Sequence, residues 1–155
     1  MRKNQSLEGT NGMIRQYVGI FVGLLAGVLV IWAGVAVSFQ MFPPPADLEL
    51  TNREAMLEYI NSLPFTALLI TLFAHAFGAL VAAFVCETIT RSNWVAGWLL
   101  IGVLCLGGGI ANLLMVPKPA WFAVVDLMLY VPAACVGGKT AAHLFSSKSA
   151  AGVSG

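Results

Sequence analysis

The chain has 155 residues, of which 59% are hydrophobic and 10% charged, with a formal net charge of +1. A mean hydropathy of +0.85 lies well outside the range of soluble globular domains. The near-neutral charge gives no footing for a nucleic-acid partner, so charge is informative only through where it falls.

Residues 1–12 are polar, through Asn4, Gln5, Ser6, Gly9 and Asn11, and read as a disordered tail. A four-span transmembrane domain is then expected over residues 13–145, with a second disordered tail over 146–155. The first span covers Tyr17–Met41. Its apolar core is well beyond the roughly 7–15 residues of a signal-peptide h-region, which favours a retained span over a cleaved leader ending near Ala36-Val37-Ser38. Within it Gly19, Gly23 and Gly27 recur every fourth residue, with Gly34 further on. Such a row lets helix backbones approach closely. It serves either packing inside the bundle or a seam with a second copy.

Pro43-Pro44-Pro45 ends this helix and opens the longest loop, residues 42–64. Thr51-Asn52-Arg53-Glu54 reads as a capping box with Thr51 as N-cap. Met56, Tyr59, Ile60 and Leu63 follow at helical spacing, predicting a short amphipathic helix over 52–62 with Glu54, Glu58 and Asn61 on its polar face. It is either a spacer between spans or a lid or partner site.

The second span, Phe65–Cys86, carries Ala74, Gly78 and Ala82 as a small-residue row. Stepping about 100° per residue places His75 with Thr71, Gly78, Ala79 and Ala82, opposite Phe73, Phe77, Leu80 and Phe84. Glu87 and Arg91 are spaced for an i,i+4 surface ion pair at the turn that follows. The third span, Trp94–Val116, sets Asn112 with Gly102, Cys105, Gly108 and Gly109. After Pro117-Lys118-Pro119 the fourth span, Trp121–Gly138, is the shortest. It places Asp126 with Ala123, Tyr130, Ala133 and Gly137, and carries Pro132 as a candidate kink. Each span except the last reaches the roughly 20 residues needed to cross a bilayer. Cys86, Cys105 and Cys135 match no metal or redox spacing and read as small packing residues.

Lys and Arg concentrate on cytoplasmic flanks. With the N-terminus inside, Arg2, Lys3, Arg15, Arg91, Lys139 and Lys148 lie inside and only Arg53 and Lys118 outside. Both termini are therefore expected in the cytoplasm. Polar side chains in lipid are costly, about 2.5–3.5 kcal/mol for charged ones on insertion scales, and so face the protein interior. His75, Asn112, Asp126 and Tyr130 form the candidate intramembrane polar cluster, in the outer half of the bundle. Gly19, Gly23, Gly27, Gly78 and Gly137 are the candidate helix-packing residues. No catalytic, cofactor-binding or metal-ligating set stands out.

Several motifs resemble an uncharacterised family of short bacterial four-span integral membrane proteins. They are Phe42-Pro43-Pro44-Pro45, Ala74-His75-Ala76-Phe77-Gly78, Gly108-Gly109-Ile110-Ala111-Asn112 and Met115-Val116-Pro117-Lys118-Pro119-Ala120-Trp121-Phe122. Asp126-Leu127, Tyr130-Val131-Pro132 and Gly137-Gly138-Lys139 complete the set, which spans about residues 14–142. The resemblance implies a four-helix protein of a bacterial inner membrane, and implies no activity, substrate or cofactor.

The expected architecture is an all-α integral membrane four-helix bundle with one short extracytoplasmic helix. The expected role is a non-enzymatic accessory or interaction subunit, or a small homo-oligomer, with membrane lipids as its surroundings. The alternative is a small transporter or channel-like protein using His75 and Asp126.

Overall fold

The computed structural model describes residues 2–46, 48, 49 and 51–151, with side chains over 11–46, 48, 49 and 51–145. Five helices follow in order: α1 (Arg2–Met41), α2 (Arg53–Ser62), α3 (Phe65–Thr90), α4 (Val95–Met115) and α5 (Ala120–Ala151). All except α2 contain stretches long and apolar enough to cross a membrane: Asn11–Met41, Phe65–Thr90, Val95–Met115 and Ala120–Phe145. The protein is an all-α, multi-pass membrane bundle. Among the described residues there is no strand.

Two boundaries differ from the sequence reading. The backbone is helical from Arg2 and again through Ala151, where disordered tails were expected, while residues 152–155 of the second tail lie outside the described residues. No proline interrupts either extension, and lengthening an existing helix avoids the cost of nucleating a new one. For the same reason the fourth crossing is not the shortest: its helix passes through Gly137 and Gly138 without a break.

Helix α3 is the hub. Helices α1 and α5 lie along two of its sides, α4 packs chiefly on α5, and α1 and α4 barely meet. The seam between α1 and α3 is built from the glycine row. A Cβ on Gly19 would stand 2.8 Å from Thr90 Cγ2, and one on Gly27 only 2.6 Å from the Gly78 carbonyl. Gly23 lies against the Ala82 carbonyl, and Gly34 against the Ala74 methyl. Gly78 returns the contact from α3, facing Ile31 and Gly27. Residue numbers rise along α1 as they fall along α3, so the pair is antiparallel, with backbones touching over about 22 Å. This is close small-residue packing within one chain.

On its other side, α3 meets α5 where Gly137 lies against the Leu80 backbone. Ala82, Ala83, Cys86, Ile101 and Ala134 form a core cluster, all at most 1% exposed. Ala134, rather than Ala133, is thus the α5 residue in this core. Phe73 and Phe77 point outward as the periodicity predicts. Leu80 and Phe84, by contrast, are half-buried, because α5 reaches round to the Leu80 backbone. On α1, Tyr17, Phe21 and Trp32 are all more than 70% exposed. Such a face suits lipid, which is as apolar as the side chains themselves.

The turn between α3 and α4 departs most from expectation. Glu87 does not pair with Arg91. It is 2% exposed and accepts hydrogen bonds from the Asn93 amide (2.7 Å) and the Trp98 indole N–H (2.9 Å). Arg91 takes a left-handed conformation (φ 48°) as the helix C-cap, and this swings its side chain away to the Thr88 carbonyl and over the Phe145 ring. Trp98 in turn lies against Gly138, so one carboxylate ties the junction of α3, α4 and α5. Glu87→Ala is expected to lower stability by about 1–3 kcal/mol, since the buried Trp98 indole N–H and the part-buried Asn93 amide lose their acceptor. Thermal unfolding in detergent reads this, with Arg91→Ala expected near wild type; equal effects of the two would contradict the assignment.

Two further arginines cap helix C-termini, where free carbonyls and the helix dipole favour a cation. Arg15 Nη2 donates to the Ile89 and Thr90 carbonyls at one end of the bundle, and Arg53 Nη1 to the Leu114 carbonyl at the other. Helix α2 begins one residue later than the capping-box reading placed it. Asn52, not Thr51, is the N-cap, its Oδ1 accepting from the Glu54 and Ala55 amides. Tyr59 of α2 donates to the Phe42 carbonyl (2.8 Å), and burial pushes its phenol above the usual value.

Candidate functional site

His75 lies on the α3 face that also carries Ala74, Gly78, Ala79 and Ala82, all buried. Asp126 projects from the second turn of α5, and the parallel course of α3 and α5 brings the two to one level. His75 Nδ1 and Asp126 Oδ1 are 2.7 Å apart. Exposure is 4% for the histidine and zero for the aspartate. Tyr130, one helical turn beyond Asp126, stacks on the imidazole with ring centroids 6.0 Å apart and planes inclined at 25°. Its ring is seated against Gly109 of α4, where a Cβ would come within 2.5 Å of the ring edge.

The second carboxylate oxygen, Asp126 Oδ2, is buried without a hydrogen-bond partner. Outside the spans, Lys118 sits 4.9 Å over the Phe122 ring. Burial lowers its ammonium from the usual value, while the nearby Asp126 acts in the opposite sense. Lys118 forms no ion pair with Asp126, whose ionic partner is His75.

In front of the pair, where α1 and α4 diverge, a groove of about 390 Å³ opens on the side of the bundle. From α1 it is lined by Leu24, Gly27, Val28, Ile31, Trp32 and Val35, and from α4 by Leu104, Cys105, Gly108, Gly109 and Asn112. His75 and Tyr130 form its floor. The most exposed lining side chains are Trp32 (72%), Val28 (59%) and Leu104 (44%), all apolar. Along α1 the lining starts about 10 Å beyond Tyr17 and stops about 9 Å short of Met41. The opening therefore faces the hydrocarbon depth.

Of the four residues in the expected cluster, His75 and Asp126 are bonded and Tyr130 is stacked on them. Asn112 stands apart: it is half-buried on the groove wall and bonds to none of the other three. It lies on α4, which packs mainly on α5 and only lightly on α3, so its amide stays out of reach of the imidazole. Glu87, the groove and the position of Lys118 were not anticipated. Glu87 alone had a signal in the sequence, a carboxylate ending an apolar span eleven residues before a tryptophan. Cys86 is a buried packing residue, Cys105 lines the groove and Cys135 is half-buried; all three are free thiols. Among the described residues, no three His, Cys, Asp or Glu side chains converge on a point that could hold a metal ion.

What fold and site together define is a class: a multi-pass α-helical membrane protein with a buried His–Asp pair under a lateral groove. No family profile, curated protein or solved structure matches the chain.

Proposed function

We propose that this chain is a non-enzymatic component of a bacterial cytoplasmic membrane that receives a small lipid-soluble molecule in the groove between α1 and α4. The observation that carries the reading is the groove itself: concave, largely apolar, with a few polar groups converging on its floor. Its volume, about 390 Å³, falls in the range of small-molecule sites. A mouth formed by Val28, Trp32 and Leu104 admits molecules dissolved in lipid rather than in water. Vectorial transport has less support, because the lining runs along the hydrocarbon depth. Association into a homo-oligomer through the glycine row also has less support, since Gly19, Gly23 and Gly27 are taken up by α3.

Cytoplasmic termini are supported by the basic residues. Arg15 and Arg91 share one end of the bundle, and Arg53 and Lys118 the other. The bacterial setting rests on the motif resemblance alone.

Two neighbouring glycines supply the test. A Cβ on either Gly107 or Gly108 meets nothing within 4 Å, so both positions accept a larger side chain, yet only Gly108 lines the groove. In liposomes, a diazirine-bearing alkane is expected to label the half-buried groove residues Ile31 and Cys105. Gly108→Leu should reduce that labelling about tenfold and Gly107→Leu should leave it unchanged. Labelling confined to outward residues such as Phe21 and Phe73 would refute the proposal.

A further inference from the structure

The groove has a chemically distinct floor, and the protonation of the buried pair dictates what that floor recognises. His75 meets Asp126 through Nδ1 while its imidazole lines the groove, so Nε2 is the ring nitrogen left for a ligand. A net charge buried at this depth is costlier than a pair that is neutral overall. Two neutral arrangements of the pair share one proton between Nδ1 and Oδ1. In one, a protonated Asp126 donates to Nδ1 of a neutral imidazole. In the other, an ionised Asp126 accepts from Nδ1 of an imidazolium. They differ only in which atom holds the bridging proton, and in both of them Nε2 bears a proton. A third, with the acid proton on Oδ2 and Nδ1–H donating to Oδ1, would bury an O–H donor that has no acceptor. Lys118, the cation whose field reaches Asp126, makes no ion pair with it and so does not offset the charge in contact.

Building on the lipid-soluble ligand proposed above, we infer that the groove selects a molecule whose head is a hydrogen-bond acceptor, a carbonyl compound, held by His75 Nε2–H. Its tail lies along Leu24, Val28 and Ile31. A pocket of about 390 Å³ suits one ring or one chain rather than a whole phospholipid. Depth excludes a phospholipid's own ester carbonyls. His75 is ten residues into α3, about 15 Å below its outer end, whereas those esters belong to the interface that bounds the hydrocarbon core. The ligand is therefore a free, lipid-soluble carbonyl compound. Tyr130, stacked on the imidazole, fixes the ring plane and hence the direction in which Nε2–H points.

Three diazirine-tailed probes of equal length test this in liposomes: a methyl ketone, the parent alkane and a long-chain amine that is protonated at neutral pH. The ketone is expected to label Ile31 and Cys105 about two- to tenfold more than the alkane, the preference that one hydrogen bond supplies. The double variant His75→Phe/Asp126→Leu, which replaces the pair with apolar groups, should abolish that preference, so that ketone and alkane label alike. A preference for the amine would mean that Nε2 is an acceptor, overturning the inference. Equal ketone and alkane labelling in the wild type would also overturn it, yet leave the groove as a binding site. Absence of groove labelling by any probe would instead refute the proposed function on which it rests.

Discussion

His75→Ala is expected to cost about 3–5 kcal/mol of stability, far more than the contacts of one imidazole. The reason lies in what it leaves behind. Asp126 is fully buried, its Oδ2 already lacks a partner, and without His75 its Oδ1 lacks one too. A buried carboxyl group would be left with neither oxygen satisfied in an apolar interior. Removing both partners should be much less harmful. In His75→Phe/Asp126→Leu no polar group is stranded, and replacing a buried pair by apolar side chains is often neutral or stabilising. The single variant is thus expected to unfold well before wild type in an SDS titration, while the double variant recovers most of the loss. If the single and double variants were equally unstable, packing volume rather than the stranded acid would be responsible.

Gly137→Val is expected to destabilise the fold by about 3 kcal/mol or more, and to do so through the same interface. A Cβ at Gly137 would land on the Leu80 carbonyl, which is backbone and cannot rotate aside. Helices α3 and α5 would have to separate, and the His75–Asp126 bond spans that gap. Gly107→Val, where a Cβ meets nothing within 4 Å, is the matched control and should stay near wild type. Unfolding midpoints of the two variants check the contrast. Equal midpoints would mean that α3 and α5 do not approach this closely.

The features legible in the sequence are those set by the period of a single helix. Apolar length gives the four crossings. Stepping round α3 and α5 turns His75 and Asp126 inward, and each side chain then has little choice of partner. The glycines of α1 announce close packing, but only the structure assigns that packing to α3. Features that depend on the rotation of one helix against another were misread. Spacing pairs Glu87 with Arg91 because the two are neighbours on one helix, yet the carboxylate faces α4 and accepts from the Trp98 indole. Asn112 has the right depth but the wrong helix to reach His75. The groove was invisible for a related reason: it exists because α1 and α4 fail to touch, and no residue pattern encodes a missing contact. At the start of α2 the error was smaller, since Thr51 and Asn52 are both good N-caps and only the backbone decides between them.

The arrangement of the crossings also bears on how the protein is made. Helices emerge in chain order, and α1 and α3 can zip together along their glycine seam as soon as both are inserted. Helix α4 comes next, but its main partner, α5, is still unmade, and it is held only by its lighter packing on α3 and the Glu87–Trp98 hydrogen bond. Until the last crossing arrives, His75 waits in the bilayer without its acid and Ile101 has no Ala134 to close over it. Biogenesis therefore ends in a single consolidating step: a nascent chain truncated before residue 126 would carry three inserted helices and no finished core.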